Sequence, residues 1–285
     1  MNINKVIKKV LMTAIVGVMA VGFIGCTEKK DEKLVLGFDD TFVPMGFKDE
    51  NGEFTGFDIE LAKAISEKLG EEIEFQPIDW SMKETELDNG NIDFIWNGYS
   101  ITDERLEKVG FSKTYLNNRQ IIITLADSKI KTKADLNGAK VAAQNASSAV
   151  EAIEADGDII STFKDGKVIT FDTNNEALMD LEAGRVDAVV ADEILAKYYM
   201  NGRGREKYNV LSEDFGIEDY AVGMRKDDPE FIEKFNKAFD EVVADGTAAE
   251  ISTKWFGEDI ISENLNLWFS NLNLLIRTDV RKSFL

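Results

Sequence analysis

An arginine near the start of a predicted helix is the first residue of this chain that points to chemistry. In the stretch NGYSITDERLEKVGFS, Thr102 is a typical helix cap, and the acids Asp103 and Glu104 suit the positive end of the helix dipole. Arg105 does not suit it, because a cation in the first turn opposes that dipole by about a few tenths of a kcal/mol. Two partners are open: a surface ion pair of Arg105 with Asp103 or Glu107, or an anion brought from elsewhere.

The charge balance and the residue types limit the other chemistry. The 285 residues include 33 basic and 53 acidic ones, for a formal charge of −20. Nucleic acids and anionic bilayers both attract clustered Lys and Arg, so neither is an expected partner. Histidine is absent and the single cysteine is Cys26, which excludes imidazole bases, intrachain disulfides and multi-Cys zinc sites. We expect no cofactor and no metal.

The N-terminus has the pattern of a secretion signal. Three lysines are followed by sixteen mostly apolar residues that end at Cys26, shorter than the roughly 20 residues of a membrane-spanning helix. The ending FIGC resembles a bacterial lipobox, which implies removal of residues 1–25 and lipidation of Cys26. Residues 26–32 would be the lipidated cysteine and a polar tether between the membrane and an extracytoplasmic domain. The alternatives are a simple N-terminal membrane anchor or a buried free cysteine.

From Lys33 onward, segments with strand and helix periodicity alternate. In FDIELAKAISEKLG, apolar residues recur every four positions, Asp58 is a candidate cap and Gly70 a candidate stop. The predicted strands are KLVLGF, EIEFQPI, IDFIWNG, RQIIITL, AKVAAQ, KVITF, VDAVVA, NVLSE and YAVGMRK. Further helices are predicted from Ser147 through SSAVEAIEA, in NEALMDLEAG, in EILAKYYM, and as a pair broken near Asp245-Gly246.

Repeated strand–helix units with apolar strands predict an α/β fold whose sheets are flanked by helices. The segment 33–257 is large for one small doubly wound unit and comfortable for two. Ligands of such sheets bind beyond the carboxyl ends of the strands, so two facing lobes would form a ligand cleft.

Five stretches occur in order between residues 33 and 259: FVPMGF, NGEFTGFDIELAKAISEKLG, IDFIWNGYSITDERLEKVGFSKTYL, GRVDAVVAD and GTAAEISTKWFGED. In this combination they resemble the polar amino-acid family of bacterial extracellular solute-binding proteins, the receptors of ABC importers. The resemblance implies a two-lobe, periplasmic-binding-protein-like α/β fold, each lobe a mixed sheet flanked by helices and joined by two hinge strands. Lobe one would comprise 33–117 plus 223–259 and lobe two 122–217, with hinges near Asn118–Ile121 and Glu218–Val222.

The resemblance also implies how the two charges of an amino acid are bound. Arg105 would hold the α-carboxylate, together with backbone amides at Ser147 and Ser148. The α-ammonium would be bound by Asp192, the Gly98 carbonyl and the Ser100 hydroxyl. Asp192 also follows a strand and precedes EILAKYYM, so it is a natural N-cap, and both roles could hold together.

The ligand side chain would meet Asp39, Phe42, Trp80 and Gln144. Although aromatic residues more often lie in a core, the resemblance selects Phe42 and Trp80 as faces around the ligand. An acid at position 39 between aromatic faces favours a donor-bearing or cationic side chain, and the neutral Gln144 would not repel a cation. Arginine, glutamine, histidine and cystine all stay open.

Together these features predict the substrate-binding component of an ABC importer, which closes on a free amino acid and delivers it to a permease and ATPase complex. We expect a monomer and no enzymatic activity. The rivals are a dehydratase-type enzyme on the same fold, a sensor input domain, and a surface lipoprotein without a ligand. Residues 260–285 extend beyond the family pattern, and this extension could pack on a lobe, contact a partner or be a gene-model artefact.

Overall fold

Two five-stranded sheets form the scaffold of residues 33–262, which are the residues that the computed structural model describes. The predictions for residues 1–32, including lipidation of Cys26 and the tether, lie outside this part. Most of the predicted extension, 263–285, lies outside it as well. In the described part, the helices are too short or too polar to cross a membrane.

The elements follow one another in the expected alternation. The strands are β1 (Leu34–Phe38), β2 (Thr41–Phe42), β3 (Gly46–Lys48), β4 (Phe54–Thr55), β5 (Ile73–Pro77), β6 (Phe94–Ile95), β7 (Val109–Phe111), β8 (Leu116–Leu125), β9 (Val141–Gln144), β10 (Ile169–Phe171), β11 (Ala188–Asp192), β12 (Tyr208–Tyr220) and β13 (Gly223–Arg225). The α-helices are α1 (Phe57–Leu69), α2 (Lys83–Asp88), α3 (Asp103–Lys108), α4 (Ser148–Ala155), α5 (Gly157–Ile160), α6 (Asn174–Glu182), α7 (Glu193–Arg203), α8 (Pro229–Ala244) and α9 (Thr247–Phe256).

Both large sheets are mixed. The first has the order β5-β1-β6-β13-β7, with β1 parallel to β5 and β6, and β13 antiparallel to its neighbours. The second has the order β10-β9-β11-β8-β12, with β9 parallel to β10 and β11, and β8 antiparallel to β11 and β12. We call each sheet with its helices lobe one and lobe two. The expected α/β fold with mixed sheets is confirmed.

Two long strands of lobe two lead to the chain crossings between the lobes. The chain leaves lobe one after β7 and enters β8, and it returns from β12 to β13. Strands β8 and β12 pair along their length, from Tyr208 opposite Leu125 to Tyr220 opposite Leu116, with register shifts in between. The predicted hinges near Asn118–Ile121 and Glu218–Val222 fall at this pair, and they stay predictions, as do the lobe bounds.

Helix α1 occupies the predicted stretch and has the predicted stop, but not the predicted cap. Gly70 adopts φ 69°, and its N–H donates to the Ser66 carbonyl, as expected for a glycine stop. The prediction that Asp58 caps the helix is wrong, since Gly56 holds the cap position without a side-chain bond. Asp58 is fully buried and accepts from the Gly98 N–H at 2.8 Å and the Tyr115 hydroxyl at 3.0 Å. It therefore ties α1 to the loop after β6.

Three other elements are shorter or longer than the sequence predicts. The strand predicted in IDFIWNG shrinks to the two residues of β6, whereas NVLSE belongs to the 13-residue β12. The helix predicted in EILAKYYM continues to Arg203. The break between the last two helices is confirmed, with Gly246 at φ 87°. Strands β2, β3, β4 and β7 were not predicted, because two or three residues carry too little periodicity.

Candidate functional site

Arg105 lies inside the protein, at the junction of the two lobes. It is 3 % exposed, and its N–H bonds to the Thr102 hydroxyl at 3.2 Å, which confirms the predicted cap. The guanidinium Nη1 donates to the Ser100 carbonyl at 3.0 Å. Nη2 donates to the Ala146 carbonyl of lobe two at 3.4 Å and lies 3.0 Å from Glu151 Oε1.

The acids that Arg105 meets are not those of its own helix. Its ion pairs are with Glu151, on α4 of lobe two, and more distantly with Glu84 at 3.9 Å. The alternative of a surface pair with Asp103 or Glu107 is therefore wrong, because the side chain turns inward. The guanidinium therefore contacts both lobes, through the Ser100 and Ala146 carbonyls.

Lys83 is a second buried cation beside Arg105. It is 2 % exposed, and its Nζ donates to the Ala146 carbonyl at 2.9 Å and lies 3.2 Å from Glu84. Burial, and then repulsion by Arg105, lower the pKa of Lys83 to about 8. Both cations thus converge on one carbonyl, whose residue has the left-handed φ of 53°. Sequence reasoning missed Lys83, since a lysine next to a glutamate is most simply interpreted as an exposed pair.

The start of α4 brings two predicted serines to the same place. Ser147 caps the helix, its hydroxyl accepting from the Val150 N–H at 3.4 Å and donating to the Gln144 carbonyl at 2.7 Å. The Ser148 hydroxyl lies 3.0 Å from the Ser100 hydroxyl of lobe one. The predicted helix start is confirmed, and it faces Ser100 across the junction.

Asp192 ends β11 and points into the junction. It occupies the cap position of α7, but its side chain makes no cap bond, so the predicted capping role of the carboxylate is wrong. Its Oδ1 instead accepts from Asn118 at 2.7 Å, from Gln120 at 3.0 Å and from the Tyr220 hydroxyl. Burial, and then the charge of Glu218, raise the pKa of Asp192 well above its usual range.

Glu218, on β12, shares those amide donors. Its Oε1 accepts from Asn118 Nδ2 at 2.6 Å and from Gln120 Nε2 at 2.7 Å. Sequence reasoning missed it, because an acid in the polar stretch SEDFGIEDY resembles any solvated acid. Its spacing of two from Tyr220, a buried residue of the same strand, is the one signal that places both side chains on one face.

Gly98 and Ser100 approach the site from lobe one. Gly98 has φ 57°, and a Cβ there would lie 2.9 Å from the ring of Phe42 and 3.0 Å from that of Tyr220. Ser100 is fully buried, with its carbonyl bound to Arg105 and its hydroxyl facing Ser148. The glycine thus permits a close approach of backbone and rings that no other residue would.

Asp39 and Gln144 meet across the lobes although they are 105 residues apart, with Gln144 Nε2 donating to Asp39 Oδ2 at 2.7 Å. The other carboxylate oxygen of Asp39 accepts from the N–H and hydroxyl of Thr41 at 2.9 and 2.6 Å. Gln144 Oε1 accepts from Asn174 at 2.8 Å. Burial raises the pKa of Asp39, and the Thr41 hydrogen bonds oppose that shift.

The two predicted aromatic residues lie in different apolar clusters. Phe42 is buried in the main core and adjoins Gly98. Trp80 packs edge-on against Tyr99 with ring centroids 5.9 Å apart, and Lys83 Nζ is 5.2 Å from its ring. Phe42 therefore adjoins the backbone of Gly98, and Trp80 adjoins the buried cation Lys83.

In the part of the chain that the structure describes, the junction holds two buried cations at one end, each paired with a glutamate, and two carboxylates without a salt bridge at the other. Arg105 and Lys83 supply buried cations at one end, where a cleft of about 980 Å³ opens beside them. Asp192 and Glu218 supply carboxylates at the other, and Ser100 and Ser148 lie between. Within residues 33–262, no cluster of acids suits a metal ion. This arrangement is suited to a small molecule with one anionic and one cationic group.

Known proteins are similar to this chain in sequence and in fold. A family model of bacterial extracellular solute-binding proteins, family 3, matches residues 34–258. The L-cystine-binding protein TcyJ of Escherichia coli (strain K12) is 29% identical over 87% of this chain and 96% of its own. The arginine-binding extracellular protein ArtP of Bacillus subtilis (strain 168) is 30% identical over 81% of this chain and 88% of its own. The crystal structure of an ABC uptake transporter substrate binding protein from Streptococcus pneumoniae with bound histidine is 44% identical in sequence, with a TM-score of 0.79. The match covers 81% of this chain and 95% of that one.

Proposed function

Since the chain belongs to the bacterial extracellular solute-binding proteins, family 3, we propose that it is the extracytoplasmic substrate-binding component of an ABC importer for polar amino acids, basic ones included. The observation that carries the proposal is the lobe junction, with the Arg105 guanidinium at one end and the Asp192 carboxylate at the other. The relatives described above are named for cystine and arginine, and the solved structure holds histidine.

The α-carboxylate of the ligand would bind to Arg105. A guanidinium offers a planar pair of donors that matches a carboxylate. In the described structure the buried Arg105 Nε donates no hydrogen bond, and Glu84 Oε1 is 3.9 Å away. Backbone amides of Ser147 and Ser148 at the start of the eight-residue α4 would add to this grip. Glu151 now pairs with Nη2, so the ligand would share the guanidinium with it.

The α-ammonium would bind to Asp192 and to the Ser100 hydroxyl, with the Gly98 carbonyl as a further acceptor. Asp192 is 4 % exposed, and a charge-assisted bond inside the protein is stronger than one in water. The close packing around Gly98 supports its backbone as part of the ligand's surroundings.

The ligand side chain would lie toward Asp39 and Gln144, between Phe42 and Trp80. The Asp39 carboxylate already accepts a hydrogen bond from Gln144, so a ligand amide, guanidinium or ammonium could take the place of that donor. Asn174 Nδ2 donates to Gln144 Oε1, the other polar atom of that side chain. A buried acid next to aromatic faces favours a cationic side chain.

Ligand capture would proceed by closure of the lobes about the predicted hinges, near Asn118–Ile121 and Glu218–Val222. Only a ligand that contacts both lobes stabilises the closed state. Arg105 and Ser100 come from lobe one and Asp192 and Ser148 from lobe two, which supports this mode. The closed monomer would then dock on a permease and ATPase complex.

We propose further that the mature chain begins at Cys26 and is held at the cell membrane by a lipid on that cysteine, with 26–32 as tether. The signal-like segment and FIGC support this. Fractionation of cells that express the full chain would test it: the wild type should sediment with membranes and incorporate labelled palmitate, and the Cys26→Ser variant should do neither. Equal palmitate incorporation by both chains would contradict the proposal.

The amino-acid specificity is tested by isothermal titration of the mature chain with arginine, histidine, glutamine, cystine, leucine and glutamate. We expect binding of one or more of the first four, and loss of preference for basic ligands in the Asp39→Asn variant. Binding of acidic amino acids alone would contradict the proposal. The family is one of solute-binding proteins, and the chain is not an enzyme.

A further inference from the structure

We propose that Glu218 and Asp192 together form a two-carboxylate amine site, which holds one proton until the ammonium group of the ligand replaces it. The inference rests on the proposed function, in which Asp192 alone receives the α-ammonium. Glu218 would be a positioning residue of that site, and ligand capture would release a proton.

The geometry of two amide side chains brings the carboxylates together. Asn118 Nδ2 donates to Asp192 Oδ1 at 2.7 Å and to Glu218 Oε1 at 2.6 Å. Gln120 Nε2 lies 3.0 Å and 2.7 Å from the same two oxygens. Two oxygens that share one nitrogen at these distances cannot be more than about 5.3 Å apart. Neighbouring strands β8, β11 and β12 therefore hold one oxygen of each acid side by side.

The charged groups around the pair do not compensate it. The cleft next to Glu218 is lined by acids of α3 and α4 and by no lysine or arginine; these acids are Asp103, Glu104, Glu151 and Glu154. Arg119, on β8, is engaged with Glu193 and Asp214. Tyr220, on β12, gives Asp192 a neutral hydroxyl. Across residues 33–262, neither Asp192 nor Glu218 forms a salt bridge.

Asp192 is 4 % exposed, and Glu218 is half-buried. Two carboxylates this close, one of them buried, do not both ionise at neutral pH, so the pair keeps one proton. Burial and the Glu218 charge raise the pKa of Asp192, which supports the same conclusion. A ligand ammonium supplies the missing positive charge. When it docks, the carboxyl O–H bond breaks, the proton passes to buffer, and the ammonium N–H groups bond to the two carboxylates.

Gln120 supplies a further acceptor for the same group. Its Oε1 is buried without a partner in the described structure, and Gln120 lines the cleft. Ser148 stands beside it, with its hydroxyl 3.2 Å from Gln120 Nε2. An ammonium has three donors. The two carboxylates would accept two of them, and the third would be shared among this amide oxygen, the Ser100 hydroxyl and the Gly98 carbonyl.

Proton release is measured by titrating the mature chain with L-arginine, and with L-glutamine as a second probe, between pH 5 and 8. Neither ligand changes protonation in that range. Heats recorded in buffers of different ionisation enthalpy give the protons released per ligand bound. We expect release of up to one proton by the wild type, and an affinity that rises with pH by up to about tenfold per unit.

The Glu218→Gln variant should bind the same probe with little proton release and a flatter pH dependence. Glu154→Gln is the matched control, because Glu154 lines the same cleft without being bonded to Asn118 or Gln120, and it should behave as the wild type. Equal release by wild type and Glu218→Gln would overturn the inference. So would a wild-type count of zero at every pH with binding intact, a result that needs no variant.

Melting curves without ligand separate this inference from the proposed function. A proton held by the folded pair is absent from the unfolded chain above about pH 4. The wild type should therefore lose stability relative to Glu218→Gln as pH rises from 4 to 7. A difference that is constant with pH overturns the two-carboxylate site even if no amino acid in the panel binds, whereas failure to bind alone refutes only the proposed function.

Discussion

Replacing Arg105 with alanine removes the cation that we place under the ligand carboxylate. Truncating one partner of a buried, hydrogen-bonded charge pair costs about 2–5 kcal/mol. The lower half of that range applies here, because Lys83 Nζ bonds to the same Ala146 carbonyl as Arg105 and leaves a second cation close by. A loss of roughly 3 kcal/mol corresponds to an affinity about 150-fold weaker.

The fold should survive the Arg105→Ala change. The variant loses one donor to the Ser100 carbonyl, while the Ala146 carbonyl keeps its bond to Lys83. An unsatisfied buried carbonyl costs about 1–3 kcal/mol, less than the typical stability of a folded domain, about 5–15 kcal/mol. Thermal melts should therefore still show a cooperative transition, at a lower temperature.

Isothermal titration with the tightest ligand of the panel measures the effect, and two further variants make it specific. Lys108→Ala removes an exposed cation of the same short helix, paired with Glu104 at 2.6 Å, and should change affinity by less than about 1 kcal/mol. Arg105→Lys keeps the charge but loses the planar fork, so its affinity should be intermediate. Near-wild-type binding by a folded Arg105→Ala protein would refute the reasoning.

Three other changes have definite expected outcomes. Gly98→Ala should lower the free energy of unfolding by about 2–4 kcal/mol in denaturant titrations, since the new Cβ would lie 2.9 Å from Phe42 at a left-handed φ; an unchanged midpoint would contradict this. Glu151→Gln removes an acid 3.0 Å from Arg105 and should tighten ligand binding by about 1 kcal/mol; weaker binding would assign Glu151 to lobe closure instead. The third change is Asp58→Asn. Burial raises the pKa of Asp58 to about 7, above the pKa of an aspartate in the unfolded chain, so folding takes up a proton between about pH 4 and 7. Stability should fall as pH rises through this window, and melts of Asp58→Asn should show a weaker fall; equal pH slopes would contradict it.

Features decided by near neighbours in the chain were the ones predicted well. The stop of α1 at Gly70 and the break near Gly246 follow from glycine's tolerance of positive φ. The caps at Thr102 and Ser147 are a hydroxyl meeting an amide three residues on. The family pattern was likewise readable, because it consists of contiguous stretches.

Features that depend on burial were predicted poorly. Asp58 looked like a cap and is a buried tie between α1 and the loop at Gly98. Lys83 and Glu218 looked like solvated charges and lie at the junction. In each case the residue type is ambiguous, since a charged side chain is most often exposed.

Local order in this chain therefore follows from the sequence, through periodicity, caps and glycine stops that act within a few residues. The tertiary structure alone decides which charges meet. Asp39 reaches Gln144 across 105 residues, and Asp192 and Glu218 come together through amides of a third strand, at separations of 74 and 100 residues from Asn118. The physical reason is that burial and proximity change the energy of a charge by several kcal/mol, and both are set by how distant segments pack.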